Sequence, residues 1–340
     1  MSARQAKKTV TVLVAIIVGA LIAIPAALAA FSARSENPGD TVTAAPDFLA
    51  PAITAKVVAK TQGGVTGFIR KGGTYFVYAN VAADTGSPAS GLAGVNADVS
   101  NFTAGAAAVA LSAGSFSAGG VSYGYRSAAL TASAVLAAGA RSFTVTATDN
   151  AANANTLTGS ATVDNTAPLA SDVQTTNAGT NGLAEQGDSL VLTFSEPVEP
   201  ESILAGWNGG ATNVVVRLLD NGILALPTGN DTVQIYNAAN TAALPLGSVD
   251  LGRSDYVAGL LGGNVRFGAS GTPSTMSMSG STLTVVLGTY GSTIVVDPAR
   301  GTAGGTGTAV WTPTATPYDR AANAMSTAPA TESGPVDKEF

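Results

Sequence analysis

Short runs of alternating apolar and polar residues, separated by Gly, Asn, Asp and Ser, constrain this chain most. In Ser142–Thr148 (SFTVTAT), Phe143, Val145 and Ala147 share one face, and Thr144, Thr146 and Thr148 share the other. SLVLTF (Ser189–Phe194) gathers Leu190, Leu192 and Phe194 in the same way. A period of two marks a strand with one face in a core and one toward water, the usual state of antiparallel sheets. Further runs of this kind are Ile53–Lys60, Thr74–Val81, Thr212–Leu219, Thr232–Tyr236, Thr282–Leu287 and Ser292–Val296. Many short strands with turn signals between them predict an all-β chain of packed sheets. Beyond the apolar helix of residues 10–30, the one helical candidate is the alanine-rich stretch Ser127–Ala140, diluted by Gly and Thr.

The chain has no cysteine, so no disulfide staples the fold, and burial has to stabilise domains large enough to hold a core. It has no histidine either. That removes Ser-His-Asp and Cys-His catalysis and zinc sites built on His or Cys. Chemistry built on paired carboxylates and metal sites built on oxygen ligands stay open.

The first residues set the destination. Arg4, Lys7 and Lys8 precede an uncharged apolar run over residues 10–30, broken by Pro25 and followed by Ala27-Leu28-Ala29. A basic start, an apolar core and a small-x-small exit form the layout of a secretory signal peptide. A signal peptidase is therefore an expected partner, with Ala27 and Ala29 read by its pocket and Ala30 the first mature residue. The run is also long enough to span a bilayer, so retention as an N-terminal anchor through residues 10–30 is the second reading. Beyond Ala29 the chain loses three of its 16 basic residues and none of its 22 acidic ones; 13 against 22 leaves a net charge of −9. Such a surface repels phosphate backbones, so nucleic acid is not an expected partner.

An internal repeat points to two modules. Thr146-Ala147-Thr148-Asp149-Asn150-Ala151-Ala152-Asn153-Ala154 recurs as Thr314-Ala315-Thr316-Pro317-Tyr318-Asp319-Arg320-Ala321-Ala322-Asn323-Ala324. Each copy ends a strand and enters an Asp/Asn turn, where short polar side chains bond nearby backbone and tolerate left-handed geometry. Between the copies lies the Pro-containing linker Val163–Pro168. The reading is a signal peptide over 1–29, an extended leader over 30–51, a first domain over 52–165, a second over 166–332 and a polar tail over 333–340. The second domain exceeds the ~100 residues of a simple sandwich, which puts extra strands or long loops in 206–275.

The strings TVTATDNAAN and TVDNTAP resemble the end of a bacterial immunoglobulin-like domain and its linker to the next. Gly187-Asp188-Ser189-Leu190-Val191-Leu192-Thr193-Phe194-Ser195-Glu196-Pro197-Val198 is similar to the opening of Ig-like domains in bacterial surface-layer and cell-surface proteins. The resemblance implies two tandem Ig-like β-sandwiches behind the signal and leader. The leader itself, Ala30-Phe31-Ser32 with Asn37–Ala45, resembles exported precursors of the camelysin and biofilm-matrix type. That likeness implies assembly into extracellular fibres. It does not carry a zinc protease activity to a chain without histidine.

Site candidates remain. Asp149, Asn150, Asn153 and Asp164, with Asp319 and Asn323, are oxygen ligands at turn positions. Calcium takes six to eight oxygens, so a calcium that stiffens the linker is one reading, and hydrogen-bonded Asx turns are the other. Glu196, Glu199 and Glu201 in SEPVEPES read as exposed charges on a Pro-rich corner, with acid/base chemistry as the competing reading. Trp207, Trp311, Tyr123, Tyr125 and Tyr318 either fill cores or stack on sugars. The glycine pairs lack the Lys-Ser/Thr of a phosphate loop. The expected function is non-enzymatic: a secreted or cell-surface structural or adhesive protein, as a matrix or fibre component. No catalytic residue and no organic cofactor are expected, and self-association or a surface protein or glycan would be the partner. A carbohydrate- or protein-binding module is the alternative, and a carboxylate hydrolase the third reading.

Overall fold

The computed structural model describes residues 47–85, 89–221, 229–258, 263–291 and 299–340. The signal peptide, with Ala27, Ala29 and Ala30, and the expected strand Ser292–Val296 lie outside the described residues. Within them the chain is all-β, its sheets curled into sandwich or barrel-like arrangements. No described helix is long and apolar enough to cross a membrane.

The first group of strands is β1 (Ile53–Lys60), β2 (Phe68–Ile69), β3 (Thr74–Val81), β4 (Leu92–Asp98), β5 (Val109–Ala118), β6 (Val121–Ser127), β7 (Leu130–Thr131), β8 (Gly139–Asp149) and β9 (Ala154–Val163). They form one sheet in the order β1-β3-β6-β5-β4-β8-β9-β2, with β7 on β3. The two ends of that order meet. The Gly67 N–H donates to the Val58 carbonyl on β1, and the Gly67 carbonyl accepts from Thr162 on β9. The concave face holds Val58, Tyr75, Val77, Val95, Phe102, Phe143, Val145 and their neighbours. The alternation in SFTVTAT is realised: Phe143, Val145 and Ala147 are buried, and the three threonines between and after them are not.

The second group comprises β10 (Ala170–Thr176), β11 (Ser189–Phe194), β12 (Thr212–Asp220), β13 (Thr232–Asn237), β14 (Ser248–Asp250), β15 (Val257–Ala258), β16 (Gly263–Phe267), β17 (Ser274–Ser279), β18 (Thr282–Val286), β19 (Tyr290–Gly291), β20 (Ala299–Arg300), β21 (Val310–Thr312) and β22 (Ala330–Thr331). Its main sheet runs β10-β11-β18-β17-β12-β13-β14-β21-β22, with β16 attached at β12 and β19 on β16, while β15 and β20 pair separately. Here too the ends are tied, because the Ser333 N–H, just after β22, donates to the Asp172 carboxylate on β10. A separate core, containing Leu190, Leu192, Phe194, Val216, Phe267 and Trp311, fills this sheet. The extra strands expected in 206–275 are real. They include β12, which pairs with β13, β16 and β17 and so lies within the sheet.

Ser127–Ala140 is not helical. Leu130 pairs with Tyr75 through β7, Leu136 is buried, and Gly139 adopts a φ of 120° as β8 begins. Burying Leu136 and packing the half-buried Leu130 against the first core outweighs the small helix propensity of alanine, which is a weak prior under tertiary contact.

Candidate functional site

The repeated Asp-x-x-x-Asn string builds the same object twice. In the first copy Asp149 ends β8 and Ala154 starts β9, so the string is the hairpin turn. Asp149 Oδ1 accepts from the Asn153 N–H at 2.8 Å, and Oδ2 accepts from Asn153 Nδ2 at 2.8 Å. In the second copy Asp319 receives the same two bonds from Asn323, both at 2.7 Å. The backbone repeats as well: Asp149 donates to Asn153 and Asp319 to Asn323, each at 3.1 Å. The residue with left-handed geometry is neither Asp nor Asn. It is Ala152 (φ 69°) in one copy and Ala322 (φ 70°) in the other. The Asp and Asn side chains bond each other across the turn, which fixes their own backbone and leaves the alanine to make the reversal.

An alanine in that region costs ~1–2 kcal/mol, while a glycine there loses ~0.4–1 kcal/mol through its freer unfolded chain. Ala152→Gly and Ala322→Gly are therefore each expected to stabilise the protein by about 0.5–1 kcal/mol. Urea unfolding checks this. A loss of stability in both would mean that the methyl groups pack usefully.

Each turn also clasps the start of its own sheet. Asn153 Nδ2 donates to the Asp47 carbonyl at 3.1 Å, and Asn323 Nδ2 donates to the Asp164 carbonyl at 3.0 Å. Asp47 is buried although it falls in the stretch read as an extended leader. The sequence does carry a signal for it: Asp47-Phe48-Leu49-Ala50-Pro51 and Asp164-Asn165-Thr166-Ala167-Pro168 share Asp-x-x-Ala-Pro ahead of β1 and β10. A third acid completes each assembly, Asp84 after β3 and Glu196 after β11. One carboxylate oxygen each from Asp47, Asp84 and Asp149 lies within 4.8 Å of the others, and the same holds for Asp164, Glu196 and Asp319.

Of the four calcium candidates, Asp149 and Asn153 thus belong to one cluster, and Asp164 and Asp319 to the other. In both, the Asp–Asn hydrogen bonds of an Asx-type turn are formed. A carboxylate oxygen has two lone pairs, so these bonds leave coordinating capacity. The clusters differ electrically. Asp47 accepts from the Leu49 and Ser90 N–H groups, which hold its carboxyl below the usual range. Glu196 has a buried Oε1 without a donor; burial, with Asp164 and Asp319 beside it, pushes it up to about 7. Burial also raises Asp319.

The SEPVEPES acids part company. Glu196 joins the second cluster and Glu201 stays exposed. Glu199 is buried, which corrects the expectation of an exposed corner charge. Its Oε2 meets Lys60 Nζ at 2.9 Å across the two cores, with side-chain exposures of 2% and 3%. The Gly64 and Val65 N–H groups also donate to it. Gly63 has a φ of 79°, and a Cβ there would lie 2.8 Å from Glu199, so only glycine admits the carboxylate. Arg320 adds a second link, its guanidinium 5.9 Å from the Phe68 ring centre.

Trp207, Trp311 and Tyr123 are buried, and Tyr125 and Tyr318 are half-buried. Trp207 forms the floor of a shallow cleft with Leu204, Asn208 and Thr212, its indole N–H spent on the Gly210 carbonyl.

Asp231 is a further buried acid. It is fully buried, its Oδ2 accepts from the Val257 N–H at 2.9 Å, and its Oδ1 has no donor. Burial raises it to about 6, against the opposing Val257 bond. A carboxyl raised above its unfolded value of 3.8 favours folding at low pH. That stability is fully present below about pH 4 and is lost as pH rises through 6. Asp231→Asn keeps the acceptor for Val257 without the charge. At pH 7 it is expected to gain roughly 2–3 kcal/mol, and to flatten the pH dependence of urea unfolding between pH 4 and 7. An unchanged slope would place the titration elsewhere.

No protein-family model matches this chain, and no curated protein matches it. Fold and site together define an all-β, sandwich or barrel-like protein with two large hydrophobic cores among the described residues and a duplicated Asp–Asn joint.

Proposed function

We propose that this is an exported, non-enzymatic structural protein of the cell surface or extracellular matrix, made of two tandem Ig-like sandwiches. The observation that carries this reading is the duplicated joint. Each half begins on an Asp-x-x-Ala-Pro segment clasped by its own Asp-x-x-x-Asn turn, a head-to-tail design that suits modules strung in series. The buried Lys60–Glu199 pair supports it, since a passive spacer benefits from a fixed angle between modules. The acidic groupings favour a structural role over hydrolysis. Most of them already accept hydrogen bonds from the chain itself, which commits their oxygens to holding turns and strands.

The test is to express the full chain in an exporting bacterial host and fractionate it. Mature protein outside the cytosol, beginning at Ala30 and free of hydrolytic activity on wall and matrix glycans, is the expected result. Intact chain retained in the cytosol would reject export, and glycan turnover would reject the structural role.

A further inference from the structure

The third carboxylate cluster has a different construction. Glu332 follows β22, and Asp337 and Glu339 lie on the segment that closes the second sheet against β10. One oxygen from each of the three lies within 4.8 Å of the others. Asp337 is exposed, Glu332 half-buried and Glu339 fully buried. Glu339 Oε2 accepts from Thr175 Oγ1 of β10 at 2.6 Å, while its buried Oε1 has no hydrogen-bond donor among the described residues. Glu332 Oε2 accepts from the Ala309 N–H at 2.9 Å. Here no asparagine supplies donors, as Asn153 and Asn323 do at the joints. A carboxylate oxygen without a donor in the interior is costly unless a cation or a proton faces it.

We propose that Glu332, Asp337 and Glu339 bind a hard divalent cation, Ca²⁺, which staples the closing segment to the second sheet. Three carboxylates supply the charge and part of the oxygen shell that Ca²⁺ prefers, and the exposed Asp337 side leaves room for water ligands and for entry. With the cation in place the Glu339 oxygen gains its partner and the mutual repulsion of the three acids is relieved. The burial and like charge that push Glu339 up to about 8 express the same repulsion in its absence. A ligand that binds only the folded state raises stability in proportion to the logarithm of its concentration.

Both tryptophans, Trp207 and Trp311, belong to the second core, so tryptophan fluorescence reports this half of the chain. The experiment melts the full chain in EDTA and in millimolar CaCl₂ at neutral pH, alongside Asp337→Asn, Glu339→Gln and, as a control at the second joint, Glu196→Gln. Calcium is expected to raise the melting temperature of the parent and of Glu196→Gln by several degrees. Asp337→Asn, altered at an exposed position and so expected to fold, should lose most of that rise. Glu339→Gln should melt higher than the parent in EDTA, yet gain nothing from calcium. A Tb³⁺ titration followed by sensitised luminescence should lose one equivalent in Asp337→Asn. No calcium response in the parent would overturn the proposal and leave a proton shared between Glu332 and Glu339. A full response retained in Asp337→Asn and Glu339→Gln would overturn it by placing the cation at the joints.

Discussion

Glu199→Ala is expected to destabilise the protein by about 3–5 kcal/mol, the cost of stranding a buried charge whose partner is removed. Among the described residues Lys60 would keep only the Val65 carbonyl, at 2.9 Å, in a position where its side chain is 3% exposed. The Gly64 and Val65 N–H groups would lose their acceptor at the same time. Because Lys60 ends β1 and Glu199 lies beyond β11, the loss falls on the contact between the two cores as well as on stability. The paired change Lys60→Met with Glu199→Leu removes both charges and should recover most of the loss, as buried ion pairs often tolerate apolar replacement. Recovery should stay incomplete, since two backbone donors remain unsatisfied. Guanidinium unfolding of the parent, single and double variants gives the comparison. A Glu199→Ala loss below about 1 kcal/mol, the range of exposed pairs, would mean that water reaches Lys60.

Trp311→Ala should cost at least as much. Trp311 is fully buried, sits edge-on to Phe194 with ring centres 5.1 Å apart, and donates its indole N–H to the Leu246 carbonyl at 2.7 Å. Truncating a buried aromatic to Ala costs roughly 3–5 kcal/mol. Losing the edge-on pair adds about 0.5–1.5 kcal/mol, and orphaning the Leu246 carbonyl about 1–3 kcal/mol. Against a typical stability of about 5–15 kcal/mol, that is enough to unfold the second half at ordinary temperature. The first half has its own core around Phe143 and Val145, so roughly half of the far-ultraviolet strand signal should survive. A cooperative loss of the whole signal would show that the first core depends on the second. A melt like the parent's would show that Trp311 is not packed as described.

Several of the longer strands were legible residue by residue. Ile53–Lys60, Thr74–Val81 and Ser189–Phe194 occur with the boundaries that alternation predicts, because side-chain period is a local property set by strand geometry. The burial of Phe143 and Phe194 follows from the same rule. The Asp–Asn turns were also visible as a repeat, although the left-handed position fell to Ala152 and Ala322. Their side-chain bonds span only four residues, and such short-range bonds are written in the sequence.

What tertiary structure alone decided are contacts between residues far apart in the chain. Glu199 and Lys60 are 139 residues apart, and nothing near either one announces a partner. Glu199 therefore read as a surface charge like its neighbour Glu201. Asp84, Glu196 and Asp47 joined their clusters for the same reason: strand order, not spacing, brought the acids together. The stretch Ser127–Ala140 lost its local helical tendency to the strand pairing of Leu130 and the burial of Leu136 against elements it could not foresee. Local periodicity determined the longer alternating strands and which face of each is apolar. The pairing of those strands determined which charges became buried, because only the assembled sheets exclude water from them.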